Sequence, residues 1–248
     1  MKDIQIVRVS TQAHKKAFVD FPLGLYQNNP YFVPPLYADE MAQFKKKHAY
    51  SDTCDTVFFL AMQGKSVVGR IQGILQKQSN DLRGEMRVRF TRFDAIDDVD
   101  VARALFAAVE DWAREQGMDT VCGPLGYSDL EREGLLIEGF DQLSTFEEQY
   151  NYDYYPALLE ACGYQKEIDW LEHRLKAPEN PNPMLGRVAE RALEPAFRRQ
   201  VGYGGASFFG DDGRCAFDRD VHNGREGRSQ ICAFALSRGA NGLDGRKK

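Results

Sequence analysis

An α/β sheet flanked by helices is the fold class this sequence predicts, and three stretches carry the prediction. Val57-Phe58-Phe59-Leu60-Ala61-Met62 and Val67-Val68-Gly69-Arg70-Ile71-Gln72-Gly73-Ile74-Leu75 flank a Gln63-Gly64-Lys65 turn, the pattern of a hairpin apolar enough to lie at a buried sheet centre. Val101, Leu105, Ala108, Val109 and Trp112 then recur at helical spacing and stop at Gly117. Thr120-Val121-Cys122-Gly123-Pro124 follows as a short buried strand, so the middle of the chain runs strand, helix, strand, a crossover onto a parallel neighbour.

The remaining elements fit around these. Residues 4–9 alternate as a strand, and residues 11–26 read as a helix with Thr11 placed to cap it. The prolines of Asn29-Pro30-Tyr31-Phe32-Val33-Pro34-Pro35-Leu36-Tyr37 exclude helix there, so this segment is expected as a packed loop before a short helix ending at Lys45-Lys46-Lys47. A third strand should follow the hairpin. In Met86-Arg87-Val88-Arg89-Phe90-Thr91-Arg92-Phe93 the apolar phase holds at Met86, Val88 and Phe90, then slips to Phe93, as a β-bulge would make it. Asp100 is a suitable cap for the central helix, and Asp97 and Asp98 suit the positive end of its dipole. Residues 125–150 form a long connection, residues 154–162 a second helix stopped at Gly163, and residues 164–175 a last strand.

Composition narrows the function. In 248 residues, 32 Lys and Arg stand against 37 Asp and Glu for a net charge of −5, which leaves no basic stripe for nucleic acid. No apolar run is long enough to span a membrane and no secretory signal opens the chain, so a cytoplasmic protein without a membrane partner is expected. Five widely spaced cysteines and four histidines disfavour a disulfide framework or a structural metal, and each cysteine reads first as a small buried hydrophobe.

The C-terminal quarter differs from the rest. From Gly186 onward lie 11 of the 22 glycines and 10 arginines against two lysines, whereas the chain before it has 10 of each base. Helix and strand periodicity are not legible there. A domain over residues 1–177 is therefore expected, followed by a poorly structured tail over 178–248, either disordered or read out of frame from a GC-rich gene, which would leave the protein truncated.

The order of elements resembles the GNAT N-acetyltransferase fold, a mixed twisted sheet flanked by helices, over about residues 4–175. The resemblance is carried by Phe59-Leu60-Ala61 and Val67-Val68-Gly69, by Trp112-Ala113-Arg114-Glu115-Gln116-Gly117, and by Leu158-Leu159-Glu160-Ala161-Cys162-Gly163-Tyr164, which looks like the family's helix into Gly-Phe. Asn29-Pro30 to Leu36, Gly123-Pro124 and Gly134-Leu135-Leu136 to Gly139-Phe140-Asp141 are similar to a longer bacterial GNAT-like group whose second half is not found here.

The resemblance implies acyl transfer from acetyl-CoA or another acyl-CoA to a small-molecule amine. In such a protein a splayed strand holds the pantetheine, here at Arg92, Phe93 and Asp94, and a loop at a helix N-terminus holds the pyrophosphate, here at Val101, Ala102 and Arg103. The family's loop pattern, Gln/Arg-x-x-Gly-x-Gly/Ala, falls on Asp97-Asp98-Val99-Asp100-Val101-Ala102, where only Ala102 fits and three carboxylates face the phosphates. The general-acid tyrosine of many members falls on Leu159, which has no proton to give, so Tyr155, one turn earlier, is the candidate acid. Glu131, Glu133 and Glu138 are candidate bases, and Arg70 and Arg92 candidate anion ligands, with solvated surface residues as the alternative. The alternative function is a non-catalytic GNAT-like module that binds a ligand or partner.

Overall fold

The computed structural model describes residues 3–45, 47–128, 130–144, 149–171, 183–193 and 232–238. β1 (Ile4–Arg8), β2 (Cys54–Gln63), β3 (Ser66–Gln76) and β4 (Arg87–Ala95) pair antiparallel in that order. β5 (Thr120–Gly123) joins β4 in parallel, as a strand–helix–strand connection requires. β8 (Cys232–Arg238) pairs antiparallel with β5, with β6 (Leu135–Leu136) and with β7 (Gln165–Leu171). The helices are α1 (Gln12–Leu25), α2 (Tyr37–Ala42), α3 (Lys77–Arg83), α4 (Val99–Glu115), α5 (Tyr155–Ala161) and α6 (Pro183–Leu193). None is long and apolar enough to cross a membrane.

β2 explains why the sheet is buried on both sides. Its successive side chains alternate, so Val57, Phe59 and Ala61 enter the core under α4 while Phe58 and Leu60 pack with Phe18 of α1 on the other face. The α4 face holds the main core, in which Val68, Val88, Phe90, Leu105, Val109, Trp112 and Val121 meet. Two glycines of β3 admit α4 closely. A Cβ at Gly69 would lie 2.8 Å from Leu105 Cδ1, and one at Gly73 would lie 2.9 Å from Val57 Cγ1 and 3.1 Å from the Trp112 ring.

Local signals are confirmed at several ends. Thr11 Oγ1 accepts from His14 N at 3.1 Å, capping α1 as expected. Gly117 ends the turn after α4 at φ 75°. The α4 cap is corrected: Asp98, not Asp100, is the N-cap, and its carboxylate accepts from Asp100 N at 3.0 Å. α3 was not anticipated. Its seven residues, Lys77 to Arg83, bury nothing, so no apolar stripe marks it.

The chain divides into two compact units, Met1–Glu172 with Gln230–Lys248, and His173–Ser229. α6 lies in the second, with Met184, Leu185 and Val188 exposed. Within the tail expected over 178–248 the structure describes two segments, α6 and β8, and β8 joins the sheet of the first unit. The apolar run from Ile231 to Leu236 was the signal for β8, hidden among glycines and arginines. The rest of that tail, and the boundary expected at 177, lie outside the described residues.

Candidate functional site

β4 is where the sheet is irregular. Its register against β3 shifts between Arg70 and Gln72, and Arg92 has φ 48°, a left-handed conformation that a side chain adopts only when its surroundings enforce it. This is the bulge that the slip from Phe90 to Phe93 predicted. β5 follows β4 only at Arg87, Val88 and Arg89, opposite Thr120, Val121 and Cys122. At Gly123, φ 151°, the chain turns away; a Cβ there would sit 2.3 Å from Phe90 O. Leu125 N still donates to Phe90 O at 2.8 Å, but beyond that point no strand among the described residues pairs with the outer edge of β4. The edge runs through Ala95 toward the N-terminus of α4.

The face of β3 and β4 turned away from α4 carries a buried polar cluster. Arg92 Nε and Nη2 donate to the Glu40 carboxylate at 3.0 to 3.1 Å, and its Nη1 donates to Gln72 Oε1 at 3.0 Å. Gln72 in turn donates to Tyr127 Oη at 2.9 Å. Burial favours the neutral Glu40 carboxyl, yet the Arg92 guanidinium outweighs that and holds it below the ordinary value. These bonds anchor Arg92 and so enforce the bulge. Arg70 Nε donates to Asp94 Oδ2 at 2.8 Å and its Nη1 to Phe18 O at 2.9 Å. Asp94 Oδ1 accepts from Tyr26 Oη at 3.0 Å and from Tyr155 Oη at 3.3 Å. A cavity of about 20 Å³, room for one water-sized group, opens here between Phe32, Pro35, Arg70, Asp94, Glu131 and Arg132.

Tyr155 sits at the junction of this cluster and the β4 edge. Its hydroxyl lies 2.8 Å from Tyr26 Oη and accepts from Ala95 N at 3.2 Å. Complete burial, then the Asp94 charge and Tyr154, raise its pKa well above that of a free tyrosine. It remains a protonated donor at neutral pH, within a network that already uses its oxygen.

The other sequence candidates are only partly brought together. Phe93 packs its ring against Phe106 and Tyr155 in the core. Val101 and Ala102 are buried against the sheet, so a ligand at the start of α4 would meet their backbone and not their side chains. Arg103 is exposed and pairs with Asp100 at 3.3 Å. Arg70 and Arg92, the candidate ligands for an anionic substrate, are both held by carboxylates of this chain, Asp94 and Glu40. Of the candidate bases, Glu131 borders the cavity, with its carboxylate 4.0 Å from Arg92. Sequence reasoning missed Glu40, Tyr26, Gln72 and Tyr127, because nothing local distinguishes a buried Glu40 from the exposed Asp39 beside it. Burial pushes the Cys122 thiol up to about 11 and the Cys54 thiol above its ordinary value, which leaves neither as a ready nucleophile. Among the described residues no group of three or more His, Cys, Asp or Glu could hold a metal ion.

A bulged β4 that β5 abandons after three residue pairs, with a helix starting just past its end, is the arrangement the sequence resemblance implied. The fold is GNAT-like. No family model matches the chain. Among similar solved structures, a tandem GNAT protein from the clavulanic acid biosynthesis pathway gives a TM-score of 0.48 at 15% identity, over 81% of this chain and 63% of that one. Spermidine N-acetyltransferase from Vibrio cholerae, in complex with CoA and spermine, gives 0.46 at 11% identity, over 97% of each. Protein YghO of Escherichia coli K12 is 34% identical over 156 residues, 63% of this chain and 40% of YghO. A bacterial ceramide synthase of Caulobacter vibrioides is 31% identical over 194 residues, 77% of this chain and 50% of the synthase. The chain thus spans half or less of the length of these two curated relatives.

Proposed function

We propose that this chain is the acyl-CoA-binding part of an N-acyltransferase. The observation that carries the reading is the outer edge of β4 past Arg92: the bulge and the departure of β5 leave an edge against which an extended, amide-bearing arm can pair, and that edge leads to the α4 N-terminus, where a pyrophosphate finds backbone N–H groups. The relative named a ceramide synthase supports the same chemistry, since a ceramide is an amide formed from an acyl group and an amine.

In the reaction the amine nitrogen attacks the thioester carbonyl, the C–N bond forms and the C–S bond breaks; the proton lost by the nitrogen passes to a base, for which Glu131 borders the cavity, and the departing thiolate takes up a proton from the acid, which the base's proton restores. Tyr155, whose hydroxyl lies 3.2 Å from Ala95 N at the β4 edge, is the candidate acid, and the cavity bordered by Asp94 and Glu131 has room for the attacking nitrogen alone, the rest of the amine lying outside it. Phe32 and Pro35 give that cavity an apolar wall. The test is incubation of the chain with acetyl-CoA and a panel of primary amines, from polyamines to long-chain amino alcohols, with mass spectrometry of the products. Amide formation that Tyr155→Phe slows while acetyl-CoA affinity is kept supports the reading. Failure of acetyl-CoA to bind refutes it.

One second reading has its own observation. Leu159 at the family's acid position and the carboxylates Asp97 and Asp100 at the start of α4 favour a non-catalytic module. Binding of acetyl-CoA without turnover of any amine is the outcome that would select it.

A further inference from the structure

Ala95, the last residue of β4, lies where an extended ligand arm would pair with the strand. On the β3 side the next residue closes the sheet, with Ile96 N donating to Val68 O at 3.1 Å. The two peptide groups of Ala95 point the other way, where β5 no longer runs, yet neither is free. Ala95 N donates to Tyr155 Oη at 3.2 Å, and Ala95 O accepts from Tyr154 Oη at 2.8 Å. Two successive residues at the start of α5 thus present an acceptor and a donor to one residue of β4, as a paired strand or a ligand's amide would do.

The two tyrosines differ in how firmly they are held. Tyr155 is fully buried and bonded to Tyr26 and Asp94. Tyr154 is only partly buried, stacks on Tyr152 with centroids 5.6 Å apart, and reaches Ala95 through its hydroxyl. Partial burial, followed by the neighbouring Tyr152, Asp97 and Asp94, raises the Tyr154 pKa, so it stays protonated and able to donate to the carbonyl. A single neutral bond of this kind contributes little net, because the same groups would otherwise bond water, so a ligand can displace it.

We propose that Tyr154 is an occupant of the ligand edge supplied by the chain itself: it covers the Ala95 carbonyl, and the arm of an acyl-CoA gains that edge only when Tyr154 leaves it. This rests on the reading that acyl-CoA lies along β4. Tyr154 then sets the affinity of the site, and Tyr155 stays in place to hold the strand end.

The experiment is calorimetric titration of the full chain with acetyl-CoA, comparing wild type with Tyr154→Phe, Tyr154→Ala and the control Tyr152→Phe, whose lost hydroxyl bonds Leu25 O instead. Tyr154→Phe keeps the ring and removes only the hydroxyl, and thermal melts check that each variant is folded. Tighter binding, by about threefold to tenfold, is expected for Tyr154→Phe or Tyr154→Ala with no gain in the control. Binding by wild type that neither Tyr154 variant tightens overturns the inference and leaves the acyl-CoA reading standing. A gain shared equally by the control means general loosening and also overturns it. No binding by wild type or by either variant overturns both.

Discussion

The close approach of α4 to β3 gives a quantitative test of how this sheet is packed. Leu105 has 0% exposure, and its Cδ1 stands where a side chain on Gly69 would begin, 2.8 Å from an ideal Cβ. Leu105→Ala removes three carbons from the main core and should cost about 3 kcal/mol, within the range of about 2 to 5 for buried leucines. Gly69→Ala forces a methyl into contact with Leu105 and should cost about 1 to 3 kcal/mol by overpacking. In the double variant the new methyl enters the space that Leu105 vacates, although Val101 Cγ1 at 3.0 Å and Asp94 O at 3.1 Å still crowd it. The double variant is therefore expected to cost less than the two single changes together, by about 1 kcal/mol. Urea titration followed by circular dichroism, with unchanged m-values, measures all three. Additivity within about 0.3 kcal/mol would remove the contact between Gly69 and Leu105, and a Leu105→Ala effect below about 0.5 kcal/mol would remove α4 from the core.

Gly123→Ala meets backbone, with its Cβ 2.3 Å from Phe90 O at φ 151°, and should lower stability by about 3 kcal/mol; a neutral result in the same titration would refute the turn of β5 away from β4. The Glu40 pKa is depressed in the fold, so its pairing with Arg92 stabilises the protein above the ordinary glutamate value of 4.5 and is lost as pH falls through the lower, folded value. Stability of the wild type should thus decline below pH 4.5 more steeply than that of Glu40→Gln, whereas parallel acid limbs in thermal melts would mean that the pair does not form. Asp97→Gln with Asp100→Gly removes two like charges from the approach to α4 but keeps the Asp98 cap, and acetyl-CoA should bind it more tightly in calorimetry; no gain from a folded variant would place the phosphates elsewhere. A chain ending at residue 229 loses β8, the strand that pairs with β5, β6 and β7, and should melt lower by more than about 4 °C; equal melting would exclude β8 from the sheet.

What could be read from the sequence alone follows the reach of local rules. The alternation of β2, the stripe of α4, the Thr11 cap, the Gly117 stop and the slip that marks the bulge are short-range patterns, and each depends on residues within a turn or a strand of one another. Residues of these patterns, Phe59, Val68, Leu105, Val109, Trp112 and Val121, share one core. α3 escaped because it buries no side chain, and β8 because its partners stand far back in the sequence at β5, β6 and β7. The site escaped for the same reason. Arg92 meets Glu40 across 52 residues, Arg70 meets Asp94 across 24 and Tyr155 meets Tyr26 across 129. Composition fixed how many charges the chain carries, but only folding decided which of them face one another, because a buried charge is tolerated where its partner stands within hydrogen-bond distance, and that distance is set by the sheet and not by the order of residues. The sequence by itself thus determined the strands other than β6 and β8, the main helix and the bulge in β4; the tertiary structure decided that the arginines beside the bulge are held by the chain's own carboxylates and that two tyrosines bond the edge of β4 at Ala95.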